Sequence, residues 1–184
     1  ADQVGQIDLR IVDSEQPFDD VAEQCQGAVV VVPHGKYDEL TKLAEKIGSL
    51  KLVQTPSAGT DWIDKAALAE LGVDVANNGG ANAVAVAEHA IGLMFSTNRK
   101  LDVQIESVKR GTWMAGVEGD RTEFHTLVGK RIGIIGLGRI GSRVAKRLAG
   151  WECELIYHDI IDHPPDYVAA TGAKKVSLEE LIST

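Results

Sequence analysis

IGIIGLGRIG, residues 132–141, ends an apolar run in a glycine-rich turn, and its reading decides the fold. The glycines fit the GxGxxG fingerprint: Gly136 permits the tight turn, Gly138 lets a pyrophosphate approach the backbone, and Gly141 allows a helix to pack closely on its strand. The N-terminus of the helix that follows offers unpaired N–H groups to an anion. Alone, the fingerprint is a weak signal. Here KRIGII precedes it as a strand, SRVAKRLAG follows as a helix, and ELIYH returns as a second strand ending at Asp159. That carboxylate stands about where the fingerprint needs an acidic residue, roughly 20 positions on, to accept hydrogen bonds from both adenosine ribose hydroxyls. It repels a 2′-phosphate, so the expected cofactor is NAD rather than NADP.

Ahead of the turn, strand-like and helix-like stretches alternate: IDLRIV (7–12), FDDVAEQCQG, GAVVVVP (27–33), YDELTKLAEKIG, LKLVQTP (50–56), DWIDKAALAELG and VDVANN (73–78). This order predicts a parallel α/β sheet. AVVVV, apolar on both faces, reads as a central strand covered by helices. Leu40, Leu43, Ala44 and Ile47 have amphipathic-helix spacing, with Gly48 where that helix should stop. From Asn82 to about Arg110 the pattern predicts one long helix, buried and apolar in its first half. Leu101, Ile105 and Val108 form a stripe in its second half. At ~1.5 Å per residue it would span ~40 Å, enough to join two domains. The stretch 111–129 reads as a linker, and KKVSLEELIST opens another helix with Ser177 and Glu180 as its capping box.

Nineteen basic against 27 acidic side chains give a net charge of −8, which disfavours nucleic acid and anionic membranes and points to small-molecule partners. The apolar run 83–95 is interrupted by Glu88 and His89 and is too short for a membrane span. Cys25 and Cys153 have no metal-ligand spacing and read as reduced thiols of a cytoplasmic protein, with no metal expected.

TPSAGTD (55–61) closes a predicted parallel strand, where open α/β sheets bind ligands. N–H groups around Ala58 and Gly59 would form a carboxylate nest, although an ordinary strand-to-helix turn fits as well. Asp61 reads as the cap of the next helix. Of the five histidines, His34 reads as a solvated loop residue on the ligand side of its domain and His89 as a packed or interface residue. His125, His158 and His163 carry no recognisable motif, and none reads as a catalytic base.

Taken together, LKLVQTPSAGTDWID, NGGANAVAVAEHAIGLMF, RGTW (110–113) and LVGKRIGIIGLGRIGSRVAKRLAG followed by YHD resemble the D-isomer-specific 2-hydroxyacid dehydrogenases. The resemblance runs from about residue 27 to 184 and implies a flavodoxin-like substrate domain joined by a long helix to the first part of a Rossmann domain. It implies domains over 1–81 and 111–184, with the helix over 82–110. It also implies that Ser57, Ala58 and Gly59 bind the substrate carboxylate and that Asn82 lines the cleft, a role compatible with helix N-capping. Val86 is implied near the nicotinamide, and Arg139 and Ile140 in the phosphate-binding turn. The implied activity is hydride transfer between NAD and a 2-hydroxy or 2-oxo acid, with homodimerisation through the long helix.

Such chemistry needs a base, a cation and a group that orients the base. In the family these are a His, an Arg and a Glu in the later part of the cofactor domain, which this sequence does not reach. The resemblance thus marks the chain as a fragment, incomplete at both ends and inactive alone. An NAD-sensing interaction protein of the corepressor type is the alternative on the same fold.

Overall fold

The computed structural model describes residues 7–112 and 124–183, so most of the proposed linker, including Trp113, lies outside the described residues. The chain divides into two compact units, Ala1–Ala81 and Asn82–Thr184.

The first unit runs α1 (Phe18–Gln24), β1 (Val30–Val31), α2 (Leu40–Ile47), β2 (Leu52–Gln54), α3 (Lys65–Glu70) and β3 (Asp74–Ala76). Its strands pair in parallel in the order β1-β2-β3. Leu40, Leu43, Ala44 and Ile47 all turn into the core of this unit, and Gly48 ends α2 in the left-handed region at φ 61°. Val53 of the central β2 is fully buried.

Three expectations for this unit fail. AVVVV supplies the edge strand rather than a central one, and Val29, Val30 and Val32 stay exposed because, among the described residues, β1 has a ladder partner on one side only. IDLRIV forms no strand, since no hydrogen bond joins its backbone to a neighbouring strand among the described residues, and Ile7, Leu9 and Ile11 are exposed. The helix cap is Asp64 rather than Asp61: the Ala67 N–H donates to Asp64 Oδ1 at 3.0 Å.

The second unit opens with α4 (Ala83–Arg99) and α5 (Leu101–Lys109). The single long helix of the sequence reading is broken at Lys100, whose backbone is left-handed at φ 46° and ψ 48°. The break reflects where the packing is: Ala87, Ala90, Ile91, Met94 and Phe95 join the core of this unit, whereas Leu101, Ile105 and Val108 do not. Nor is the first half buried all round, since Val84, Val86 and Leu93 are exposed.

β4 (Arg131–Ile135), α6 (Gly141–Leu148) and β5 (Glu154–His158) follow as a parallel βαβ unit, with Arg131 opposite Glu154 and Ile135 opposite His158. α7 (Pro165–Ala169) then leads to β6 (Lys174–Lys175), which pairs with β5 and makes it the central strand. Leu155, Ile156 and Tyr157 are accordingly buried in succession, as a strand covered on both faces requires. α8 (Leu178–Ser183) starts with the Glu180 N–H donating to Ser177 Oγ at 3.0 Å. Among the described residues no helix is long and apolar enough to cross a membrane.

Leu148 is fully buried between α6 and this sheet. Leu148→Ala is expected to lower the unfolding free energy by about 2–5 kcal/mol, read from urea denaturation.

Candidate functional site

The second unit gathers Gly136, Gly138, Arg139, Ile140, Gly141 and Asp159 at the C-terminal ends of β4 and β5. Gly136 takes φ +87°, and its N–H donates to the His158 carbonyl at 2.7 Å, which anchors the turn to the neighbouring strand. A β-carbon on Gly141 would be driven into the Gly136 carbonyl and would stand 3.0 Å from Ile134 Cγ2, so α6 can start here only from glycine. Around Gly138 a β-carbon would meet no atom within 4 Å, leaving open space above the backbone.

The turn's carbonyls are engaged while its donors are left over. The Gly138 carbonyl accepts from the Ser142 N–H and from Tyr167 Oη, and the Ile140 carbonyl accepts from Arg143 and Val144 N–H. The N–H groups of Gly138, Arg139, Ile140 and Gly141 make no hydrogen bond among the described residues. Four such donors at a helix start suit a polyanion.

Asp159 braces this turn. Its Oδ2 accepts from the Leu137 N–H at 2.7 Å and lies 2.9 Å from His163 Nε2, while its Oδ1 accepts from the Ile161 N–H at 3.0 Å. These hydrogen bonds, His163's first and then those of Ile161 and Leu137, hold the carboxyl down at a pKa of about 2. Leu137 is itself fully buried, so the bond joins the carboxylate to a fixed piece of backbone. Donor-rich turn and adjacent carboxylate together fit NAD: the turn suits the pyrophosphate, and the carboxylate, with three of its roughly four acceptor positions filled, suits one ribose hydroxyl rather than the two expected from the sequence.

Val86 lies apart from this cluster along the chain, on α4, and is 36% exposed. Asn82 occupies the N-cap position of α4, yet its side chain makes no capping hydrogen bond. In the first unit, Ser57, Ala58 and Gly59 form an exposed loop after β2 whose carbonyls are all taken. The Asn78 N–H donates to Ser57 O at 3.1 Å, Asn77 Nδ2 to Ala58 O at 2.7 Å, and Ser57 Oγ to Gly59 O at 3.3 Å. The N–H groups of Ala58 and Gly59 make no hydrogen bond among the described residues.

The sequence reading missed His163 and Tyr167. His163 pairs with Asp159 four residues before it, its ring stacks on Tyr167 at 5.0 Å between centroids, and Tyr167 Oη donates to Leu137 O at 2.9 Å. The available signal was the run DIIDHPPDY, in which two prolines fix the chain between the histidine and the tyrosine. Among the described residues no cluster of three or more His, Cys, Asp or Glu side chains is placed to hold a metal.

A glycine-rich βα turn answered by a carboxylate at the end of the next strand defines a dinucleotide-binding domain. Residues 91–184 match the model of the D-isomer specific 2-hydroxyacid dehydrogenase, NAD binding domain. The chain therefore belongs to the D-isomer-specific 2-hydroxyacid dehydrogenase family, and the cofactor of its second unit is NAD. It is 38% identical over 137 residues to D-3-phosphoglycerate dehydrogenase 3, chloroplastic, of Arabidopsis thaliana, covering 74% of this chain and 22% of that protein. It is 33% identical over 171 residues to a formate dehydrogenase of Chaetomium thermophilum, covering 90% of this chain and 45% of the relative. The NAD-dependent formate dehydrogenase of Staphylococcus aureus, solved in complex with NAD, superposes with a TM-score of 0.72 at 30% identity, over 94% of this chain and 50% of that one. The chain spans less than half the length of these curated relatives.

The depressed Asp159 pKa gives a sign to the acid response. An unfolded aspartate titrates near 3.8 and the folded one at about 2, so the stabilisation is complete above pH 3.8 and is lost as the pH falls toward 2. Asp159→Asn is expected to melt below the wild type at pH 6, with the gap closing between about pH 4 and pH 2 in thermal scans.

Proposed function

We propose that this chain supplies the NAD-binding and carboxylate-binding elements of an oxidoreductase that moves hydride between NAD and a small 2-hydroxy or 2-oxo acid. The observation that carries the reading is the set of unused N–H groups at Gly138, Arg139, Ile140 and Gly141 in the turn that Asp159 braces. In this reading Gly136 shapes the turn, the four N–H groups bind the pyrophosphate, and Asp159 takes the adenosine ribose. Val86 lies toward the nicotinamide end. Ala58 and Gly59 hold the substrate carboxylate through their N–H groups in a loop closed by Ser57, and the Asn82 amide contributes to substrate binding. Bound NAD supplies the hydride acceptor or donor. The residues named here bind and orient, and no general base is assigned among them.

Because Gly138 has room for a β-carbon within the protein, Gly138→Ala separates folding from binding. The variant is expected to melt with the wild type but to bind NAD about 10- to 100-fold more weakly by calorimetry, as hydrogen bonds to a charged pyrophosphate are lost. Unchanged affinity would remove the pyrophosphate from this turn.

A second copy of the chain is the partner we propose for α4 and α5, on which Val84, Leu93, Ile105 and Val108 are exposed. Exposed apolar side chains along two successive helices are the observation that supports this pairing. Light scattering should give twice the 19.7 kDa chain mass, and Leu93→Asp should return it to one. A wild type that stays at the single-chain mass at high concentration would contradict the pairing.

A further inference from the structure

We propose that His163, braced by Tyr167, is a positioning residue for cofactor recognition: it holds the Asp159 carboxylate in the orientation the adenosine ribose needs. The inference rests on Asp159 as the ribose ligand. Three observations carry it. First, a carboxylate has about four acceptor positions, and the Leu137 N–H, the Ile161 N–H and His163 Nε2 fill all but one of them on Asp159. The two backbone donors fix where the carboxylate sits, and the imidazole is the only side chain bonded to it among the described residues. Second, the pair is shielded, with side-chain exposures of 15% for His163 and 10% for Asp159, so the carboxylate cannot turn freely into solvent.

Third, the imidazole is itself held. Its ring stacks on Tyr167, whose hydroxyl donates to the carbonyls of Leu137 and Gly138, the residues at the centre of the pyrophosphate turn. Pro164 and Pro165 stiffen the chain between them, and the residue before a proline is kept extended rather than helical. Asp162, the neighbouring acid, is engaged by Lys175 of β6, which leaves the imidazole to Asp159. The loop, the carboxylate and the start of α7 thus form one closed circuit of hydrogen bonds and ring stacking.

Calorimetry with NAD and with NAD lacking the adenosine 2′-hydroxyl tests this, with melting scans to show that each variant is folded. In the wild type, loss of that hydroxyl should weaken binding about 10-fold or more. His163→Leu should bind NAD about 3- to 10-fold more weakly, the scale of one side chain that must be ordered on binding, and should lose most of the 2′-hydroxyl's contribution. His163→Gln keeps an N–H donor of similar reach and should recover affinity to within about twofold of the wild type. Tyr167→Phe, which keeps the ring but drops both carbonyl bonds, should fall between them.

The proposal is overturned if His163→Leu binds NAD as well as the wild type or better, or if its weaker binding leaves the 2′-hydroxyl dependence intact. If Asp159→Asn binds NAD unchanged, the ribose assignment of Asp159 fails first and the role of His163 goes with it.

Discussion

A side chain on residue 141 would collide with the carbonyl of residue 136, and the second unit is arranged around that constraint. With glycine at both positions, α6 starts directly above the end of β4. Val144, Ala145 and Leu148 then reach the sheet at helical spacing. The same closeness bends the backbone so that carbonyls at Gly138 and Ile140 serve α6, while the donors from Gly138 to Gly141 are left outward. Asp159 enters because β5 pairs in register with β4 until Ile135 meets His158, which brings the next residue level with the turn. The site is thus a consequence of how tightly one helix is packed on one strand.

What the sequence made legible follows from the range of the interactions involved. The turn, α6 and the strand ending at Asp159 are local, and each glycine has a steric reason visible in the residue type. The amphipathic α2 with Gly48 at its end is local in the same sense. The edge position of AVVVV is invisible in its composition, which reports how apolar a strand is and not how many neighbours it pairs with. The two-residue β6, Lys174–Lys175, has no apolar signature at all and exists only through its pairing with β5. Lys100 carries no helix-breaking signal, and its left-handed break falls just past Phe95, the last residue of α4 packed on the core. In the sequence His163 is one histidine among five, since its meaning depends on the Asp159 carboxylate that lies across from it.

The loop after β2 and the turn after β4 reach a similar electrostatic result by different means. Each follows the C-terminal end of a parallel strand, and each has its carbonyls engaged and backbone donors free. In the second unit the engaged carbonyls belong to the start of an eight-residue helix, so several donors converge and the helix dipole adds to them. In the first unit the carbonyls are tied by Asn77, Asn78 and Ser57, and the helix that follows is six residues long with its own cap at Asp64. Its donors are therefore those of the loop alone, two adjacent N–H groups with no helix behind them. A paired donor of that kind matches one carboxylate, which carries a single charge over two oxygens. The four donors and dipole of the other turn match the larger charge of a pyrophosphate. On this ground we propose the acid for the first unit, since the reverse arrangement would set the doubly charged pyrophosphate against two loop donors with no helix behind them.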